Sequence, residues 1–173
     1  SENAISKYLF DQKNLSSKAL LKSKIVPINE LLIESNKFIN TLKEKNKNIS
    51  SIINIMMARI YLYDYKCSFI LSGNRGLIKT KVSYDDCDIA LHSDSLSYVF
   101  NNLWGGDTLS VNARCQTPKK STPWNFHYFI EIASFTNRRE IYRFPSKESF
   151  VIRYILKQIK FIFRSNFLKL HYF

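Results

Sequence analysis

Residues 58–83 read ARIYLYDYKCSFILSGNRGLIKTKVS, and the texture of this stretch decides the fold. Residues 58–64 mix aromatic and β-branched side chains, which predicts a strand. Residues 67–72 predict a second. Gly73-Asn74-Arg75-Gly76 is a tight-turn signal, because both glycines can supply positive φ. Residues 77–83 alternate apolar and polar at their centre and make a third strand. Asp85, Asp86 and Asp88 surround the start of a fourth, at residues 87–91. The four follow one another closely enough to predict a meander.

Working outward, the clearest helix of the chain comes next. Ser93 is placed to cap it and Asp94 sits in its first turn, where the helix dipole favours an acid. Leu96, Val99, Phe100 and Leu103 make one face, and Gly105 and Gly106 stop it. Residues 108–115 alternate strictly, with Leu109, Val111, Ala113 and Cys115 on one side, and predict a fifth strand that returns to the sheet. On the other flank, residues 29–45 carry Leu31, Leu32, Ser35, Phe38, Ile39 and Leu42 at helical spacing, with Asn29 as the cap. After a loop at 118–123, residues 124–137 and 146–167 predict two more helices.

The expected fold is therefore α+β, a mostly antiparallel five-stranded sheet covered by helices. Three parts are expected. A basic arm spans 1–27 and the core domain 28–145. A basic amphipathic helix spans 146–173 and packs on the core or on a partner.

The composition fits this reading. The chain has 173 residues, 45% hydrophobic and 23% charged, which excludes an intrinsically disordered chain. No run of 18 uncharged apolar residues is present, so no ordinary transmembrane helix is expected. Cys67, Cys87 and Cys115 form no CxxC and cannot all pair, which argues against a disulfide-built secreted domain. Ser1–Ala4 starts no signal peptide, and a cytoplasmic location is expected. The first residue is not Met, as in a fragment of something longer.

The net charge is +12. Lys far outnumbers Arg beside many Asn and Ile, a usage that A/T-rich codons also produce. Residues 73–115 sum to −1, whereas 116–145 sum to +3 and 146–173 to +5. The excess lies on the flanks and not on the core, which speaks against a nucleic-acid domain.

Little in the chain suggests a reaction. His92, His127 and His171 are far apart and form no HExxH, so no zinc set converges and no metal site is expected. Asp85, Asp86 and Asp88 are the only acidic cluster, and a turn explains them as well as a cation does. Cys87 and Cys115 fall on strands, where cysteine behaves as a small hydrophobe. Arg138, Arg139 and Arg143, with Lys119 and Lys120, could touch phosphates; a solvated helix end accounts for them more simply. No catalytic residue is assigned.

The last predicted helix is unusual. Arg153, Lys157, Lys160 and Arg164 share one face, and the remainder is apolar. Such a helix suits a membrane interface, a partner surface or burial in its own domain.

The run Asp88-Ile-Ala-Leu-His-Ser-Asp-Ser-Leu-Ser-Tyr-Val-Phe100, followed by Leu103-Trp-Gly-Gly-Asp-Thr-Leu-Ser-Val-Asn-Ala-Arg114, resembles the C-terminal region of bacterial metallo-β-lactamase-fold hydrolases. There a strand, an SD/SSxxL helix and a WGxDTLxVNGRF-like strand recur. The stretch is also similar to sterol-carrier-protein-like domains, in which a meander, a helix and a returning strand enclose an apolar cavity. Such domains accompany the metallo-β-lactamase fold in alkylsulfatase-type enzymes. The resemblance covers roughly 54–116 and departs from the pattern at Asn112-Ala113-Arg114-Cys115, where Asn-Gly-Arg-Phe is usual.

What the resemblance implies is an accessory domain without chemistry of its own. It would help shape a substrate site, bind an apolar ligand or mediate dimerisation. Zinc or another divalent metal would belong to an upstream catalytic domain, and no cofactor to this chain. Phe100, Trp104, Trp124 and Phe129 are the candidate ligand-binding residues. Ser93, Trp104, Gly105, Gly106, Asp107, Asn112 and Arg114 are read as structural, with Trp104 plugging the helix end, the glycines making the turn, and Asp107 or Asn112 capping backbone groups. The expected partners are an upstream metallo-β-lactamase-fold domain or a second copy, with peripheral membrane contact compatible. The alternative is a standalone basic module acting at an anionic membrane surface or on nucleic acid.

Overall fold

The fold is taken from a computed structural model, which describes residues 24–112, 114–118 and 124–142. The basic arm, apart from its last residues, and the C-terminal helix expected at 146–167 lie outside the described residues.

Helix α1 spans Ile28–Lys45 and buries Leu31, Ser35, Phe38, Ile39 and Leu42, the stripe its spacing predicts. Pro27 precedes it in extended conformation, so Asn29 lies inside the helix instead of capping it. A 3₁₀ turn at Lys47–Ile49 and the short helix α2, Ser50–Ile55, lead to the sheet. Strands β1 (Met57–Leu62), β2 (Cys67–Ser72) and β3 (Gly76–Thr80) form the expected antiparallel meander. Gly76 has φ +66°, and a Cβ there would lie 2.5 Å from Asn36 Oδ1, so the turn requires glycine twice over.

The fourth strand corrects the expectation. β4 (Ile89–Leu91) does not extend the meander; it crosses over and pairs parallel to β1. The sheet order is β3-β2-β1-β4-β5, which puts β1 at its centre. The sheet is mixed and mostly antiparallel, the helices pack against it, and the class is α+β.

Helix α3 spans Ser93–Asn101. Residues 108–115 are then not the predicted strand. Helix α4 occupies Gly105–Val111, and β5 is only Cys115–Gln116, antiparallel to β4. Apolar alternation with period two suits a strand with one face in the core, which would bury Leu109 and Val111 together. Here Leu109 is buried while Val111, its supposed same-face partner, is 84% exposed. Helix α5, Trp124–Asn137, falls where it was predicted.

Alternation in β1 points Ala58, Ile60 and Leu62 inward, where they join Phe69, Leu71, Leu77 and Leu91 in the core. Helices α1, α3 and α5 complete that core with Phe38, Phe100, Phe126 and Phe129. α5 is apolar on nearly every side, as expected of a helix wedged between β1, α4 and α1. The order of meander, helix and returning strand implied by the sterol-carrier-protein-like resemblance is present in 57–116, with a crossover inserted before the helix.

Candidate functional site

The inner sheet face and the helices above it enclose one continuous apolar cluster. Its polar boundary is built from side chains that tie helices to strands. Asp88, fully buried just before β4, accepts the Arg59 N–H at 2.7 Å and the Arg59 Nη2 at 3.0 Å. Asn125 Nδ2, on the first turn of α5, donates to the same carboxylate at 3.3 Å. The acidic cluster therefore separates, with Asp88 in an ion pair and Asp85 and Asp86 exposed in a 3₁₀ turn. No group of three His, Cys, Asp or Glu able to hold a metal occurs among the described residues.

Asp64, in the β1–β2 turn, caps α3. It accepts the Ser93 N–H at 3.2 Å and forms a short hydrogen bond with Ser93 Oγ. Ser93 Oγ in turn accepts the Val26 N–H at 2.9 Å. This corrects the expectation that Ser93 is itself the cap: it is the first helical residue, and its hydroxyl relays between Asp64 and the chain entering α1. A third joint lies between α1 and α3. Glu34 Oε1 accepts Ser97 Oγ at 3.0 Å and Asn101 Nδ2 at 2.6 Å, while Oε2 is buried without a partner.

Of the four candidate ligand residues, Phe100 and Phe129 are in the core, and Phe100 meets Phe38 at 5.4 Å between ring centroids. Trp124 opens α5, and its side chain lies outside the described residues. Trp104 is on the surface, 46% exposed, with its ring edge-on to Tyr98 at 5.5 Å. It does not plug the helix end. That position is closed instead by the start of α4, where Gly105 N–H donates to Asn102 O at 2.7 Å and a Gly105 Cβ would come within 2.9 Å of Tyr98 O.

The two glycines therefore do not stop α3, which ends at Asn101 with Asn102 as its C-cap; they open α4. A Cβ on Gly106 would fall 2.0 Å from Ile130 Cγ2, so this glycine lets α4 press onto α5. Asp107 caps no backbone; it accepts Ser134 Oγ–H at 2.8 Å, joining the same two helices. Asn112 and Arg114 are exposed, and their N–H groups donate to Thr108 O and Leu109 O as α4 ends. Arg138 packs over the Phe135 ring at 4.5 Å, pairs with Glu140 at 3.1 Å and donates to Ser134 Oγ, which fits a helix end. Arg143, Lys119 and Lys120 lie outside the described residues.

On the opposite sheet face Tyr61, Tyr63, Tyr84 and His92 form a chain of ring contacts at 5.1–6.5 Å. Tyr63 OH donates to Gln116 Oε1 at 2.8 Å. Burial, with the Tyr84 hydroxyl beside it, pushes Tyr63 up to about 12. Burial also pushes the Cys87 thiol up, against its hydrogen bond to Ser68 Oγ. All three cysteines are free.

Sequence reasoning missed Asp64, Arg59, Asn125 and Glu34. A polar residue in a turn or on a helix gives no local signal that its partner lies 29, 37 or 63 positions away. The described residues contain 13 Lys and Arg against 11 Asp and Glu, so most of the +12 lies elsewhere in the chain. No described helix is long and apolar enough to cross a membrane.

No protein-family model matches the chain, and no curated protein is found to match it. Among solved structures it is similar to one described as "UbiJ-SCP2 Ubiquinone synthesis protein", with 15% identity over 75% of this chain and 100% of that one, at a TM-score of 0.40.

Proposed function

We propose that the chain is a binding module for an apolar ligand, accommodated between the inner sheet face and helices α1, α3 and α5, and is not itself an enzyme. The observation that carries this reading is the interior itself. One continuous apolar cluster runs from sheet to helices, in the meander, helix and returning-strand order of sterol-carrier-protein-like domains. The carboxylates at its boundary are engaged with Arg59, Asn125, Ser93, Ser97 and Ser134 and present no paired acid and base to a substrate. Phe100 and Phe129 are the proposed ligand neighbours within that interior. The run 88–114 is the whole basis for joining the module to a metallo-β-lactamase-fold hydrolase, and its second half is helical where that resemblance implies a strand.

The test is direct. The purified chain is extracted with organic solvent, the extract is analysed by mass spectrometry, and the protein is titrated with a fluorescent fatty acid. Saturable binding is expected, with a thermal midpoint that rises as ligand is added. A ligand at a hundred times its Kd stabilises by about 2.7 kcal/mol. No saturable binding of fatty acid, sterol or isoprenoid probes, with an unmoved midpoint, would overturn the proposal.

A further inference from the structure

The carboxylates that join elements of the fold differ in what they leave over. Both oxygens of Asp88 and both of Asp64 accept hydrogen bonds. Asp107 is exposed, so water reaches it. Glu34 differs from all three. Its Oε1 accepts Ser97 Oγ–H at 3.0 Å and the Asn101 amide at 2.6 Å, whereas its Oε2 is buried and accepts from no described residue. A buried acceptor without a donor is costly, and native proteins keep few of them.

We infer that the ligand supplies the donor: the apolar molecule carries a hydroxyl group that donates to Glu34 Oε2, while its chain lies toward Phe38 and Phe100. This rests on the apolar-ligand reading above and adds a head group to it.

The placement of these residues supports the inference. Glu34 and Phe38 are four apart on α1 and so share one face of that helix. Ser97, Phe100 and Asn101 follow one another within about a turn of α3. The Phe38 and Phe100 rings meet at 5.4 Å, so the polar joint and the phenyl pair belong to one seam between the two helices. That seam grades from water to core. Asn101 is exposed, Glu34 and Ser97 are half-buried, and Phe38 and Phe100 are buried. A molecule with a polar head and an apolar body matches that gradient.

The chemistry of Glu34 selects among heads. A carboxylate only accepts hydrogen bonds, so its complement is a donor. A fatty-acid carboxylate would bring more acceptors and a like charge. An ether would bring an acceptor alone. An ammonium could donate but would have to be buried as a cation, at greater desolvation cost. A hydroxyl supplies the one donor that is wanted without a charge. Ser97 and Asn101 both donate to Oε1, which fixes the orientation of the group and leaves Oε2 to the ligand.

The experiment loads the full chain with the neutral fluorophore N-phenylnaphthylamine. Dodecanol, dodecanoate and dodecyl methyl ether then compete for it, three molecules with one chain and different heads. Dodecanol should displace the probe at about tenfold lower concentration than either of the others, the factor expected for one hydrogen bond to a charged group. Glu34→Gln keeps an oxygen for Ser97 and Asn101 and turns the other position into an amide donor. In that variant the alcohol should lose its advantage, and dodecanoate and the ether should gain. The comparison of heads on the wild-type chain stands whether or not the variant folds.

Equal displacement by the three heads, or tighter binding of dodecanoate, would overturn the inference and leave apolar binding standing. So would an unchanged order of affinities in a Glu34→Gln chain that melts with the wild type. Displacement by none of the three overturns both readings together.

Discussion

Replacing Asp88 by alanine tests whether one buried carboxylate joins the sheet to α5. Asp88 is fully buried, and the Arg59 side chain that pairs with it at 3.0 Å is 17% exposed. The same carboxylate accepts the Arg59 N–H and the Asn125 amide. Asp88→Ala takes this acceptor from all three donors at once. Removing one partner of a buried pair costs about 3–5 kcal/mol, and the residual exposure of Arg59 places the expectation near the lower end. For a chain of this length, about 3 kcal/mol lowers the melting temperature by roughly 6–12 °C. The measurement is urea denaturation with an unchanged m-value, so that the shift in midpoint reads stability alone. The double variant Asp88→Asn/Arg59→Met removes both charges while leaving an acceptor for the backbone N–H at position 59. It should recover most of the loss, because a neutral replacement of a buried pair is often close to neutral in stability. The reasoning is refuted if Asp88→Ala costs less than about 1 kcal/mol, or if the double variant is no more stable than the single one.

Three further outcomes follow from the same geometry. Ser93→Ala deprives the buried Val26 N–H of its acceptor and Asp64 of a donor, and should cost about 1–3 kcal/mol in chemical denaturation, whereas a simple loss of helix propensity would leave stability within a few tenths. Gly106→Ala should destabilise by about 1–3 kcal/mol through overpacking against Ile130, and adding Ile130→Val should return part of that; additive losses would show that the contact is not the cause. Tyr63 holds its proton in the folded state up to about 12, while an unfolded tyrosine releases it near 10, so its contribution to stability is intact below pH 10 and is lost as pH rises from 10 to 12. Ultraviolet titration of Tyr63→Phe should lack a late-titrating tyrosine relative to wild type, and the loss of an early one would contradict the assignment.

How far the sequence could be read depended on whether a signal was local. The stripe of α1, the meander of β1 to β3 and the span of α5 are each set by neighbouring residues, and the structure places all three where periodicity predicted. β4 was found as a strand but misplaced, since pairing with β1 instead of β3 is decided by the core that Ile89 and Leu91 enter and not by their own sequence. The stretch after Trp104 misled for a different reason. Two glycines suggested a stop, yet α3 has already ended at Asn101 and a helix starts at Gly105; what the glycines serve is close approach to Tyr98 O and Ile130, which no local pattern announces. Trp104 was read as buried because it is large and apolar next to a turn, but it lies on the surface with its ring edge-on to Tyr98.

Four carboxylates tie elements of the fold together. Asp88 fastens β1 to α5, Asp64 fastens the β1–β2 turn to α3, Glu34 fastens α1 to α3, and Asp107 fastens α4 to α5. Each is a carboxylate whose oxygens accept hydrogen bonds from donors on a different element, and hydrogen bonds to a carboxylate are stronger than those between neutral groups. Asn46 repeats the pattern with neutral groups, its amide donating at once to Leu42 O and to Thr136 Oγ1 across α1 and α5. Between these joints the described interior offers aliphatic and phenyl surface, Phe38, Phe100, Phe126 and Phe129 among it. Such an interior offers shape and apolar area to a molecule that meets it. This apolar interior, bounded by the polar joints, is the feature on which the proposed binding of an apolar molecule rests.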